Sequence, residues 1–346
     1  MEERLRERIG RIVRTHVARY AIVSLDPPVF YVQLELNATD DFIATYQVLF
    51  SFLRGRKAYC LCCYSWNLTP QVLDRVTELE RQCRLQFPDI QMIHLCNEAG
   101  QPALFHARGA QAVFCNQNCF VDDALFRPIP SIAKRFDAVY DSRFATWKRH
   151  LLAVELASIA LLYYPLQDDP DYVQALRRDF SHAHFFNHPD SGPYQRLSPR
   201  AVNRCLNACR VGLCLSAEEG AMYASVQYLL SGLPIVTTPS QGGRDVFFED
   251  RFVLTVPPQP SAVRRGVAEL IERNLDPDDI RGATLTKVRA HRQTFVALVQ
   301  DIYLRHGVAR TFANEWNRVF RDKMTETRSH LDTIAEIQAA DSASGD

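Results

Sequence analysis

Neither sign of charge is in excess in this sequence: 40 lysines and arginines face 40 aspartates and glutamates over 346 residues. A chain without net charge has no global field to draw it onto nucleic acid, and nucleic-acid partners are not expected. Long apolar runs are missing too. The longest, Leu151 to Tyr163, is interrupted by Glu155 and falls short of the roughly 20 residues a bilayer span needs. No secretory signal opens the chain, so a cytoplasmic location is expected. Cys60-Leu61-Cys62-Cys63 lacks a second cluster at zinc-binding spacing, and strand alternation would split its members between two faces. No metal is expected there. The ten cysteines sit mostly in apolar, strand-like runs (Cys60, Cys62, Cys63, Cys96, Cys115, Cys214), the usage of a reducing compartment where thiols act as small hydrophobes. What remains is an ordinary globular composition, 47% apolar and 23% charged, in a chain long enough for two domains.

The stretch from Asn207 to Asp245 organises the rest. Val211 to Leu215 reads as a buried strand, Ser216 to Gly220 as a polar turn, and the following residues as a helix burying Val226, Leu229 and Leu230 and ending at Gly232. Pro234 to Thr238 is a second buried strand, closed by Gly242-Gly243. Strand, loop, helix, strand is the unit of a parallel sheet. Ligands of such sheets gather at the carboxyl ends of the strands, where helix N-termini offer free N–H groups to anions. Glu219 lies in that loop, and the amides of Gly220, Ala221, Met222, Tyr223 and Ala224 stand at the expected helix start, followed by Ser225.

Glu219-Gly220, the seven residues before Gln227, and the following G-L-P-I-V-T-T-P-S-Q-G-G resemble the E-x7-E signature of retaining glycosyltransferases of the GT-B fold. The resemblance covers roughly residues 85–275. It implies that Glu219 touches the donor sugar and that the second position, here Gln227 in place of Glu, holds the ribose; an amide can still bond a hydroxyl. It also implies a pair of cations after the first strand of the second domain, an Arg and a Lys about five residues on, which bind the donor diphosphate. Arg143 and Lys148 stand at that spacing, with Arg149 and His150 beside them. Fixed cations stabilise a departing diphosphate without a metal. Gly243 allows close backbone approach, and Arg244 is a candidate for a phosphate or acceptor, with a salt bridge to Asp245 as the structural alternative. On the sugar and acceptor side, His94 resembles a strand-end histidine near the reacting sugar, with Cys96 in its place under a two-residue shift. Asn97 and Asn118 follow buried strands, where turn formation explains them equally.

In chain order, residues 1–20 hold six arginines and three glutamates on an amphipathic pattern, a helix suited to an anionic membrane surface or to packing on a domain or second subunit. Residues 21–130 read as a first α/β domain, with Thr69-Pro70 opening one helix. It lacks the glycine-rich loop many relatives carry after their first strand. Phe126 to Pro130 reads as the linker. Residues 131–283 form the second domain, with a helix expected from about Trp147 to Leu162 and another capped by Ser198. Asp168-Asp169-Pro170-Asp171 holds a D-x-D triplet of the kind that binds metals but reads as a helix cap, and Asp276-Pro277-Asp278 is a second such triplet ahead of a helix or turn. The spacing of His182, His184 and His188 is open to a metal, whereas the resemblance implies that their loop walls the nucleotide base. Residues 284–338 read as helices, which in the resembled fold cross back onto the first domain, and 339–346 as a disordered tail.

The expected architecture is therefore α/β and GT-B-like: two Rossmann-like domains with parallel sheets facing across a cleft. The expected activity is metal-independent, retaining transfer of a sugar from a nucleoside-diphosphate sugar to an unidentified hydroxyl acceptor, with no cofactor. A nucleotide-sugar epimerase on the same fold and a non-catalytic saccharide- or partner-binding relative are the alternatives.

Overall fold

The computed structural model describes residues 17–34, 41–164, 170–188 and 192–344. They form two compact units, Met1–Phe120 with Ala290–Asp346, and Val121–Arg289. No helix among the described residues is long and apolar enough to cross a membrane.

In the first unit the chain runs β1 (Val17–Leu25), β2 (Pro28–Leu34), α1 (Phe42–Phe52), β3 (Ala58–Tyr64), α2 (Pro70–Gln86), β4 (Ile90–Cys96), α3 (Gln101–His106) and β5 (Ala112–Phe114). The sheet order is β12-β1-β2-β3-β4-β5, with β12 (Glu326–Ser329) supplied by the C-terminal segment. Neighbours from β2 to β5 are parallel, and β1 is antiparallel to β2 and β12. β3, A-Y-C-L-C-C-Y, is buried along its whole length, as a central strand covered on both faces must be. Burial there pushes the Cys63 thiol up to about 12. Thr69 caps α2 as its sequence requires, its Oγ1 accepting the Val72 N–H at 3.4 Å. Of the helix expected over residues 1–20, residues 1–16 lie outside those described, and 17–20 are extended in β1.

The second unit contains β6 (Phe136–Asp141), β7 (Ile159–Leu162), α4 (Pro170–Asp179), β8 (His184–Phe185), α5 (Pro199–Asn207), β9 (Cys209–Cys214), α6 (Tyr223–Leu230), β10 (Ile235–Thr237), β11 (Val253–Thr255) and α7 (Pro260–Arg273). Its sheet is parallel throughout, in the order β11-β10-β9-β6-β7-β8. Ser198 Oγ accepts the Ala201 N–H and caps α5. Gly212 in β9 is required by packing: a Cβ there would sit 2.4 Å from the Tyr228 ring of α6. The helix expected from Trp147 to Leu162 does not form. Arg149 takes a left-handed conformation, φ 52° and ψ 45°, which ends one 3-10 turn (Thr146–Lys148) and starts another (His150–Ala153). The apolar run Ile159–Leu162 is then a strand between β6 and β8, buried at every position.

The segment 126–130, read as a linker, is bound to the second unit. Two buried asparagines of α5 hold it: Asn203 Oδ1 accepts the Arg127 N–H and Asn207 Oδ1 the Ile129 N–H, while both amides donate to the Arg127 carbonyl. The chain then continues through α8 (Pro277–Arg305), α9 (Phe312–Val319), β12 (Glu326–Ser329) and α10 (His330–Ser344). The helical reading of residues 284–338 therefore misses β12. That strand pairs Glu326–Ser329 with Tyr20–Val17 and covers part of an edge whose N–H and C=O groups would otherwise lack partners. The reading of 339–346 as a tail also yields to helix up to Ser344. Ile337 belongs to the first unit's core, Thr333 Oγ1 meets the Tyr20 hydroxyl at 2.6 Å, and His330 Nε2 meets the Thr45 carbonyl at 2.9 Å.

Candidate active site

The order β11-β10-β9-β6-β7-β8 reverses direction between β6 and β9: β6 leads to β7 and β8 on one side, β9 to β10 and β11 on the other. A parallel sheet opens a crevice at such a point, beyond the carboxyl ends of the strands. The loops after β6 and β9 bring Lys148 and Glu219 together there. Their ammonium and carboxylate form an ion pair, with only 12% and 6% of the side chains exposed. Desolvation offsets much of the attraction in so buried a pair, which makes it a poor staple.

Backbone bonds fix both ends of the pair. The Tyr140 hydroxyl donates to the Lys148 carbonyl at 2.6 Å, and the Ala217 N–H to the Trp147 carbonyl at 3.3 Å. A short ladder then joins the Glu219 loop to the loop after β10. Gln241 donates to Ala217, Glu219 to Gln241 and Gly243 to Gly220, at 2.9 to 3.0 Å. Gly220 and Gly243 thus meet as close backbone neighbours.

The helix α6 starts at Tyr223, later than its sequence suggests, and Met222 gives it no side-chain cap. Among the described residues, the amides of Gly220, Ala221, Met222 and Ala224 donate to no protein acceptor, and these four residues are buried. Ser225 is tied back, its N–H and its Oγ both donating to the Met222 carbonyl. Free, oriented amides at an uncapped helix start suit an anion. Gln227, 4% exposed, meets no hydrogen-bond partner for its amide among the described residues. Ser216, which sequence reasoning passed over, is wholly buried with an unpartnered hydroxyl; nothing in its local pattern signals this.

Arg143, on the loop after β6, is exposed and makes no ion pair among the described residues. Other candidates go elsewhere. Arg244 is fully buried and cannot reach a ligand. Its guanidinium donates to the carbonyls of Cys214, Ser216 and Thr238, to Thr237 Oγ1 and to Asp245, at 2.6 to 3.1 Å. It knots the ends of β9 and β10. His182, His184 and His188 part ways: the first bonds the Leu156 carbonyl, the second stacks on Phe136, and the third pairs with the Tyr163 hydroxyl. Among the described residues no three His, Cys, Asp or Glu side chains converge as metal ligands. Asp168 and Asp169 lie outside the described residues, whereas Asp276 caps α8 by accepting the Asp278 N–H at 2.9 Å.

In the first unit, His94 is a core residue. Its ring stacks on Phe105 at 4.2 Å between centroids, Nδ1 meets the Tyr64 hydroxyl, and Nε2 meets Glu80 at 3.0 Å. It therefore cannot serve a sugar. Cys96 beside it is buried, its thiol pushed up to about 12 by burial. Asn97 latches loops, donating to the Tyr64 carbonyl and accepting the Gln117 N–H. Asn118 is wholly buried, its N–H on Asn116 Oδ1.

His150 supplies a pH test of this region. Burial, reinforced by Lys148, depresses its pKa to about 3, and its Nε2 meets Ser142 Oγ at 2.9 Å. The unfolded chain takes up that proton near pH 6.5 and the folded chain does not, so stability is full above about 6.5 and falls as pH drops toward 3. Between pH 7 and 5, urea unfolding of the wild type should lose about 2 kcal/mol more than that of His150→Gln. Equal losses would show that His150 is protonated in the fold.

No protein-family model and no curated protein matches the sequence. Solved structures do match in fold. HepE of Anabaena, solved with UDP, superposes with a TM-score of 0.56 at 14% identity over 74% of this chain and 82% of that one; its complex with UDP-glucose gives 0.53, at 14% identity over 78% of each. Sucrose-phosphate synthase of Thermosynechococcus elongatus gives 0.55, at 14% identity over 80% and 79%. The architecture is thereby that of the GT-B proteins: two α/β units, the first on a mixed sheet whose strands β2 to β5 are parallel and the second on a wholly parallel sheet, with C-terminal helices after the second.

Proposed function

We propose that this chain is a retaining glycosyltransferase that moves a sugar from a nucleoside-diphosphate sugar to a hydroxyl acceptor without a metal ion. The observation that carries the reading is the meeting of Lys148 and Glu219 at the switch point of the second sheet, beside unpartnered amides. In this reading the diphosphate lies over the start of α6. As the anomeric C–O bond breaks, its electron pair stays with the diphosphate, whose charge Lys148, Arg143 and the amides of residues 220–224 stabilise. The acceptor oxygen bonds to the anomeric carbon on the same face, and its proton passes to the departing phosphate oxygen. Glu219 bonds hydroxyls of the sugar and Gln227 the ribose; no protein base is required.

UDP is the first nucleotide to test, since the HepE structures hold UDP and UDP-glucose. Calorimetry with UDP, GDP, ADP and CMP, with and without EDTA, should find one nucleoside diphosphate bound equally in both conditions. Absence of binding by all four would overturn the reading in favour of a non-catalytic relative. Release of an epimer or free sugar, in place of a glycosylated product, would reassign the site to an epimerase.

A further inference from the structure

Next to Lys148 stands a residue that the proposed reaction leaves without a task. Arg149 is left-handed at φ 52°, a conformation that costs a side-chain-bearing residue about 1 kcal/mol or more. Its guanidinium offsets that cost at the ends of the two neighbouring strands. Nε donates to the Leu215 carbonyl at 2.6 Å, and Nη2 to Thr238 Oγ1 at 2.7 Å and the Pro239 carbonyl at 3.3 Å. Leu215 opens the loop that carries Glu219. Thr238 and Pro239 open the loop whose Gln241 carbonyl accepts the Glu219 N–H. One side chain after β6 therefore grips the loops after β9 and β10 while its own backbone adjoins Lys148.

We infer that Arg149 is a positioning residue that clasps these two loops and so sets Glu219 against Lys148. Its consequence for the donor sugar rests on the function proposed above. Three acceptors on two loops call for a planar fork, which an ammonium does not supply. A residue needed only to make the left-handed turn would be replaced without loss by glycine, which adopts that conformation freely. Arg149→Gly thus keeps the turn and removes the clasp.

Hydrogen exchange on the ligand-free full chain reads the clasp directly. In Arg149→Gly the amides of Glu219, Gln241 and Gly243 should exchange about tenfold faster while those of β6 are unchanged; Arg149→Lys should fall between. Calorimetry then reads the site. The variant should bind UDP within about threefold of wild type but lose about tenfold in affinity for UDP-glucose, the part of the donor that Glu219 would hold. Unchanged exchange in both loops overturns the clasp, and wild-type affinity of Arg149→Gly for UDP-glucose overturns its role toward the sugar. A wild type that binds no nucleotide sugar overturns the donor reading and that role together, while exchange still decides the clasp.

Discussion

Under the proposed function, Lys148→Ala should slow sugar transfer by about a hundred- to a thousandfold, roughly 3–4 kcal/mol of barrier, as expected for loss of one preorganised charge at a departing anion. The same change removes the partner of Glu219, whose side chain is 6% exposed. Breaking a buried pair from one side costs about 3–5 kcal/mol of stability, comparable to the catalytic effect. The two losses must therefore be separated. Lys148→Met combined with Glu219→Gln removes both charges at nearly constant shape, and its urea unfolding should return to within about 2 kcal/mol of wild type. Release of nucleoside diphosphate from the sugar donor should stay as slow as in the single variant. A double variant as active as the wild type would end the assignment of Lys148 to the departing diphosphate.

Arg244→Ala should be among the most destabilising single changes in the second unit, at about 4 kcal/mol or more by urea unfolding. It leaves the Ser216 carbonyl without its guanidinium donor and weakens the bonding of the Thr238 carbonyl, which keeps only a 3.4 Å contact from the Thr237 hydroxyl, of the Cys214 carbonyl and of Thr237; each buried orphan costs about 1–3 kcal/mol. Cys214 keeps part of its bonding, since the Thr238 N–H and the Thr237 hydroxyl also donate to it. Arg244→Lys should recover less than half of the loss, because an ammonium cannot span acceptors on both strand ends. A loss below about 1 kcal/mol in the alanine variant would mean that water replaces the guanidinium, and that the strand ends do not depend on it.

The unit from β9 to β10 was legible in the sequence because its signals are local. Apolar runs, a polar turn and the glycines at 220, 232, 242 and 243 lie within one stretch, and each constrains its own neighbours. The caps at Thr69 and Ser198 were legible for the same reason: the hydroxyl and the N–H it accepts are three residues apart. Lys148 and Glu219 came into view as candidates through the family resemblance of the motifs around them. Their contact did not, since 71 residues separate them. The turn at Arg149 was hidden because its left-handed backbone is compensated by partners 66, 89 and 90 residues away. Arg244 read as a candidate for a phosphate or acceptor, or as a partner of Asp245, for a similar reason.

His94 and β12 show the same limit from the other side. Alternation along β4 cannot say which face meets α2 and Phe105, and so whether a histidine is core or site. Four residues of β12 carry too little pattern to outweigh the helices around them, and only the bare edge of β1 makes them a strand. The sequence by itself determined the alternation of strands and helices, most of their limits, and the charged and small residues available at each strand end. Which charges are buried, which face each other and which are spent on holding loops was decided only by the order of strands in the two sheets. That order is set by pairings between distant segments, and the burial of a charge depends on them more than on its neighbours in the chain.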